Sequence, residues 1–269
     1  MYTSMVQFLA VDFISGEKFE SLKNDTDIFY CDTHNVEHFF ENPPKEKFIL
    51  ISHNSDGNIT QNPTRFVSGS SNDCNFNNLK IPDNLLRWFG QNVDVIHPKL
   101  ETIPIGLENS KWFPELNKRK KIELIQNHTK NFKNLLYVCH NTNTNPKERM
   151  EPYEIFSNKL WCTIESGING INFDNYLTNI YNHKFVLCPE GNGIDTHRTW
   201  ETLYCGSIPI EKLNKNNAFH DDLPICFVEE WSQITKSFLE EQYELIMSKN
   251  WNFDKLSFKF WENKIKSFL

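Results

Sequence analysis

The residues best placed to do chemistry lie in one run, Phe185-Val-Leu-Cys-Pro-Glu-Gly-Asn-Gly-Ile-Asp-Thr-His-Arg-Thr-Trp-Glu-Thr-Leu-Tyr-Cys-Gly206-Ser-Ile-Pro-Ile210. It reads as strand, glycine-rich turn, helix, glycine stop and strand. Pro189 ends the strand, and Gly191 and Gly193 permit positive φ and close approach of a ligand to the backbone. Asp195 or Thr196 caps the helix that follows. The free amides and positive dipole end of that helix suit a phosphate. Arg198 adds a bidentate anion donor. Glu201, three residues on, shares its face and can accept hydrogen bonds from ribose or sugar hydroxyls. Trp200, Leu203 and Tyr204 form another face, directed at a sheet. Spacing alone leaves two readings open. One is a diphosphate pocket; the other is a plain strand–turn–helix with an Arg–Glu surface pair, since Gly193 is followed by Ile-Asp-Thr and the full dinucleotide fingerprint is absent.

Two further clusters carry titratable groups. Ile51-Ser-His-Asn-Ser-Asp-Gly57 follows the apolar run Phe48–Ile51, which puts His53 and Asp56 at a strand's carboxyl end. Either side chain can take a proton in general-base catalysis; Asn-Ser-Asp-Gly is equally good turn chemistry. In Asp32-Thr-His-Asn-Val-Glu-His38, His34 and His38 stand four apart. With Asp32, His53 and Asp56 they could hold a metal ion and make a metal-dependent hydrolase. There is no His-Glu-x-x-His pattern, however, and Asp32-Thr33 also reads as a helix start. The seven cysteines are odd in number, lack a CxxC pair and mostly adjoin apolar residues, as buried reduced thiols do.

These residues need elements to hold them. In the first half the expected strands are Val6–Phe13, Asp27–Cys31, Lys47–Ser52, Val93–Ile96 and Glu101–Ile105, with helices at Glu17–Lys23, Val36–Glu41 and Asp83–Gly90. Lys111–Lys133, with the basic cluster Leu116–Lys121, reads as a linker or an exposed helix with a solvated charged face. The rhythm then restarts with strands at Asn134–Cys139, Leu160–Thr163, Lys184–Cys188, Ser207–Glu211 and Ile225–Val228. Helices are expected at Pro146–Ser157, Phe173–Tyr181, Asp195–Cys205, Glu229–Lys249 and Phe253–Phe268. This alternation predicts an α/β fold of two Rossmann-like, doubly wound domains facing a cleft, 1–110 and 131–252, joined by 111–130. Phe258, Trp261 and Ile265 share one face of a final helix, 253–269, expected to return to the first domain.

Bulk properties exclude several classes. With 39% hydrophobic and 14% aromatic residues the chain has ample core material, which excludes disorder. A net charge of −7 argues against nucleic-acid binding. No apolar run approaches the ~20 residues of a membrane span. Met1–Phe13 lacks the basic and apolar regions of a signal peptide, so a cytoplasmic location is expected. The sequons at Asn24, Asn58 and Asn127 then read as chance in a chain with 33 Asn.

Pro189-Glu-Gly-Asn-Gly-x-Asp-x-x-Arg-x-x-Glu201, followed by Gly206-x-Ile-Pro-Ile210, closely resembles the C-terminal signature of exostosin-like glycosyltransferases and their viral and microbial relatives. A weaker likeness covers Asn134–Arg149, where a strand runs into His140–Pro146 and a second arginine follows. A looser one lies at Ile103-Pro-Ile-Gly-Leu107. The resemblance implies a two-domain GT-B enzyme that moves a sugar from a nucleotide diphosphate sugar, UDP-linked by expectation, to a glycan or other hydroxyl acceptor. It implies a donor site built from Asn141, Arg149, Glu190, Gly191, Asn192, Gly193, Asp195, Arg198 and Glu201, with Asp56 or His53 supplying the base from the acceptor half. Arginines and helix amides would stabilise the leaving diphosphate, so an inverting, metal-independent reaction without cofactor is expected; Asp25-Thr-Asp27 fits the letters of a metal motif but precedes a strand in the wrong half. A viral member would act in the host cytoplasm. The membrane anchor and stem of most eukaryotic members have no counterpart here. A module that binds nucleotide or sugar without turnover is the third reading.

Overall fold

The computed structural model describes residues 12–63, 73–112, 118–132, 134–166 and 173–269. The expected strand Val6–Phe13 lies outside them except for its last two residues. In chain order the regular elements are α1 (Gly16–Ser21), β1 (Ile28–Asp32), α2 (Val36–Glu41), β2 (Phe48–His53), β3 (Ile59–Thr60), β4 (Cys74–Asn75), β5 (Leu85–Gly90) and β6 (Leu100–Thr102). Then follow α3 (Lys118–Gln126), β7 (Asn134–His140), α4 (Pro146–Arg149), α5 (Glu151–Phe156), β8 (Cys162–Ser166), α6 (Phe173–Tyr181) and β9 (His183–Leu187). The chain closes with α7 (His197–Tyr204), β10 (Ile208–Lys212), β11 (Cys226–Val228), α8 (Lys236–Ser248) and α9 (Phe258–Lys266).

Two all-parallel sheets result, β1-β2-β5-β6 and β11-β10-β9-β7-β8, beside a small β3-β4 pair. Parallel strands need both faces covered, which is why their sequences read as continuous apolar runs. Along β2, Ile49 and Ile51 face one core and Phe48 and Leu50 the other. Along β7, Tyr137 and Cys139 alternate in the same way with Leu136 and Val138. In the second sheet α6 and α7 cover one face, while α5 and α8 cover the other. This is a Rossmann-like mixed α/β arrangement. Its strand order turns back at β7: β8 lies to one side, and β9, β10 and β11 lie to the other. The carboxyl ends of β7 and β9 therefore flank a topological switch point, where open α/β sheets bind ligands.

Two expected elements are corrected. Asp83–Gly90 is not a helix: Leu85–Gly90 forms β5, between β2 and β6. Leu85, Leu86 and Phe89 fit helical spacing, but apolar side chains packed on both faces make this run a central strand. Leu85 and Trp88 pack on one side and Phe89 on the other. Val93–Ile96 is a loop with a single bridge to Ile59, and Ile96 is 83% exposed. The basic cluster is not wholly a solvated face either. Ile122 is fully buried, Arg119 reaches Ser15 and Glu17 at 2.6 Å, and Gln126 reaches the Tyr204 carbonyl at 2.7 Å.

α9 buries Phe258, Trp261 and Ile265 in the core that also holds Phe19, Ile51 and Phe89. Burying each such side chain contributes about 1.5–3 kcal/mol. The Phe258 amide donates to the Asp12 carbonyl, and Lys264 pairs with Glu101 of β6. All seven cysteines are free thiols, five of them buried.

Candidate active site

β9 ends at Leu187, and Pro189 to Thr196 form the turn before α7. Thr196 occupies the N-cap position without a side-chain cap bond, so Arg198 lies in the first turn of the helix. Gly206 takes φ +65° at the other end, and the Gly206 and Ser207 amides close back on Leu203 and Thr202.

Gly191 and Gly193 do not use positive φ, contrary to the expectation from sequence. Their lack of a side chain makes room for protein groups. A Cβ on Gly191 would sit 2.7 Å from Arg149 Nη2, and one on Gly193 would sit 2.4 Å from Asn92 Nδ2. The glycines thus admit an arginine from beyond β7 and an asparagine from beyond β5.

Arg149 is 6% exposed, and its guanidinium is fixed by carbonyls: Nε donates to Glu190 at 2.8 Å and Nη1 to Asn141 at 3.1 Å. Burial and then the charge of Arg198 pull its pKa down to about 10. His140, at the end of β7, donates through Nε2 to the Arg149 carbonyl at 2.9 Å. Burial and the two arginine charges push its pKa down to about 3, so it stays neutral behind them. Arg198 stands over the Tyr176 ring, 5.9 Å from its centroid, and its buried Nε has no hydrogen-bond partner. Tyr176 in turn donates to Glu201 Oε2 at 2.8 Å. Arg149, Arg198, Tyr176, Glu201, Gly191 and Gly193 line one pocket of about 290 Å³ at the switch point.

The other expected donor-site residues act differently. Asn141 holds Arg149 by its carbonyl, while its own side chain accepts from the Asn143 amide at 2.9 Å. Glu190 directs its carboxylate at Asn214, 3.1 Å away. Asp195 is buried, accepts from the Ile105 amide at 2.7 Å and Trp200 Nε1 at 2.9 Å, and is pushed up to about pKa 6 by burial. It clamps the Ile103–Leu107 segment to the start of α7. Asn192 lines the pocket and donates to Asp56 Oδ2 at 3.0 Å.

A second pocket, of about 370 Å³, adjoins the first, and Asp56, Ile105 and His197 line both. His53 lines only the second. Its Nδ1 accepts from the Asn54 amide at 2.7 Å and its Nε2 donates to the Pro104 carbonyl at 3.1 Å. Burial lowers its pKa to about 4. Both of its nitrogens are engaged, whereas Asp56 lines both pockets and accepts from Asn192 through one oxygen. His38 is exposed and pairs with Glu41 at 2.9 Å, far from the buried ring of His53 in both setting and role. Among the described residues no group of three or more His, Cys, Asp or Glu is gathered to hold a metal ion, so His34, His38 and His53 do not come together in the cluster that the alternative hydrolase reading needs.

Sequence reasoning missed three contributors. Tyr176 reads as ordinary helix core beside Leu177 and Ile180. His197 stands next to Arg198; its Nδ1 donates to the Gly106 carbonyl at 2.7 Å, and its Nε2 lies 3.3 Å from Glu108. Asn92, at φ +56°, accepts from the Asp195 amide at 2.9 Å and donates to the Ser55 carbonyl at 3.2 Å. A non-glycine residue in this conformation is uncommon and tends to mark a tight functional turn. No helix among the described residues is long and apolar enough to cross a membrane. No protein-family model matches this chain, and no curated protein matches it either.

Proposed function

We propose that the protein is a GT-B-type glycosyltransferase that takes its sugar from a nucleotide diphosphate sugar. One observation carries this reading: Arg149 and Arg198 face the same pocket at the switch point, and the Nε of Arg198 is buried without a partner. A buried and a half-buried guanidinium beside a helix N-terminus suit a diphosphate. The resemblance of Pro189–Ile210 to the exostosin-like signature points the same way.

The adjoining pocket would seat the acceptor, with Asp56 between the two. Asp56 would take the proton of the acceptor hydroxyl as its oxygen bonds to the sugar's anomeric carbon. The bond from that carbon to the diphosphate breaks with inversion, and the electron pair leaves on the diphosphate. Arg149, Arg198 and the first amides of α7 would stabilise that charge, so turnover should persist in excess EDTA.

A thermal-shift screen against UDP, GDP and CMP tests the reading, since a ligand of the native state raises its melting temperature by mass action. A shift with UDP or GDP that Arg198→Ala abolishes is expected. A protein indifferent to every nucleotide would sink the proposal.

A further inference from the structure

Glu211 of β10 is a buried carboxyl that the proposed reaction does not use, and it lies against the first turn of α7. It accepts from two neutral groups: the Thr199 hydroxyl donates to Oε1, and Asn217 Nδ2 donates to Oε2 at 3.2 Å. The titratable groups that face it are Asp195 and Glu190, from the turn after β9, and the buried thiol of Cys188. None of them stabilises a carboxylate. Burial and those two acidic neighbours push its pKa up to about 8.

Thr199 connects this carboxyl to the arginine pocket. Its Oγ1 also stands 3.5 Å from Thr196 Oγ1, a long contact, and Thr196 lines that pocket at the N-cap of α7. The Thr196 side chain makes no capping bond, so its hydroxyl is open to a ligand. Each hydroxyl has one proton to give. When Glu211 is ionised, its carboxylate claims the Thr199 proton, and the Thr196 proton turns inward to Thr199. Thr196 then presents lone pairs to the pocket, which repel an anion. When Glu211 is protonated, its O–H donates to Thr199 while its other oxygen still accepts from Asn217. Thr199 is then free to donate to Thr196, and the Thr196 proton is free for a phosphate oxygen. Protonation also removes a buried negative charge from behind the anion site, an effect of the same sign.

We infer that Glu211 positions the Thr196 hydroxyl through Thr199, so that the arginine pocket takes up its anion together with one proton from solvent. That the anion is a nucleoside diphosphate rests on the transferase reading. The dependence on Glu211 does not follow from that reading, since neither Glu211 nor Thr199 lines the pocket.

Calorimetry with UDP and GDP at pH 8, repeated in buffers of different ionisation enthalpy, counts the protons taken up on binding. Glu211 is half protonated there, so each nucleotide should draw about half a proton, and Kd should rise about threefold from pH 7.5 to 8.5. Lys130 titrates in the same range, but it sits on the Gly206 carbonyl beyond the far end of α7, and its share persists in variants of Glu211. Glu211→Gln keeps an acceptor for Asn217 and offers Thr199 an N–H, as the protonated acid offers an O–H. It should lose the uptake and the threefold change while binding as tightly as wild type does at pH 7.5. Thr196→Val should bind several-fold more weakly at pH 7.5 with a flatter pH dependence, and Thr196→Ser should restore both; circular dichroism verifies that each variant is folded. Proton uptake that is absent in the wild type or unchanged in Glu211→Gln would overturn this inference alone, as would a pH dependence that Thr196→Val leaves intact. A protein that binds neither nucleotide would overturn the transferase reading and this inference with it.

Discussion

Asn192 Nδ2 donates to Asp56 Oδ2 at 3.0 Å, joining the turn after β9 to the turn after β2. The bond ties the loop that precedes Arg198 to the one carboxylate that lines both pockets. Asp56 and the arginine pocket are thereby held together. The contact orients one oxygen of Asp56, and in the proposed reaction the other would take the acceptor's proton.

Replacing Asp56 separates binding from chemistry. In Asp56→Asn the new amide oxygen still accepts from Asn192, so the loops stay joined. Loss of a positioned base costs about 10²–10⁴ in rate. Turnover of the cognate donor and acceptor should fall by that much while UDP affinity, measured by calorimetry, stays near wild type. Undiminished turnover would remove Asp56 from the base role.

Arg198→Ala should do the reverse. A charged hydrogen bond contributes roughly 1.5–3 kcal/mol, which is about a ten- to hundredfold loss of diphosphate affinity. The wild-type Nε has no hydrogen-bond partner to lose, and circular dichroism checks that removing the guanidinium from above Tyr176 and beside Glu201 leaves the fold intact. Wild-type affinity for the nucleoside diphosphate in this variant would take Arg198 out of the site.

Gly191→Ala tests the pocket from the backbone side. The added methyl would lie 2.7 Å from Arg149 Nη2, and that guanidinium cannot swing away freely because the Glu190 and Asn141 carbonyls hold it. Displacing it should weaken diphosphate binding by roughly 1–2 kcal/mol, about five- to thirtyfold. The combined variant Gly191→Ala with Arg149→Ala should lose no more affinity than Arg149→Ala alone. Full additivity of the two losses would show that the glycine acts on the ligand directly.

How much was legible follows from where the signals sit. The Pro189–Gly206 segment is local: strand, turn, helix and glycine stop are adjacent in sequence, so spacing placed Arg198 in the first turn of α7 and Gly206 at its end. Arg149 could be suggested only by resemblance, because its approach to Gly191 depends on β7 and β9 being neighbours. Asn92 was hidden by a misread element. Once Leu85–Gly90 is a strand, Gln91-Asn92 stands at its carboxyl end, beside the turn that carries Asp56. Read as a helix end, the same pair carries no meaning. Asp195 shows what spacing leaves open: it lines the arginine pocket, as its place among the signature residues suggests, while its carboxylate accepts from the Ile105 amide and the Trp200 indole. Types and spacing report which groups are near the turn, and not which way each one faces.

The buried carboxyl of Glu211 sets the pH response of stability. It accepts from Thr199 of α7 and from Asn217 Nδ2 at 3.2 Å. Burial, with the nearby Asp195 and Glu190 charges, pushes its pKa from 4.5 up to about 8. A folded pKa above the unfolded one means that the folded state holds the proton more tightly. The stability this gives is complete below pH 4.5 and is lost as pH rises to about 8. His53, His140 and His220 have the opposite sign. Their folded pKa values, about 4, 3 and 3, lie below 6.5, so stability is lost as pH falls below 6.5. From about pH 7.5 to 8 these histidines are largely neutral in both states, so Glu211 contributes a falling slope there, opposed in part by Lys130, whose pKa burial lowers to about 8. The melting temperature should therefore decline across that window in the wild type. Glu211→Gln, which keeps an acceptor for Asn217 and carries no charge, should flatten the decline. An equal slope in both proteins would show that Glu211 is ionised throughout, and that Thr199 and Asn217 outweigh its burial.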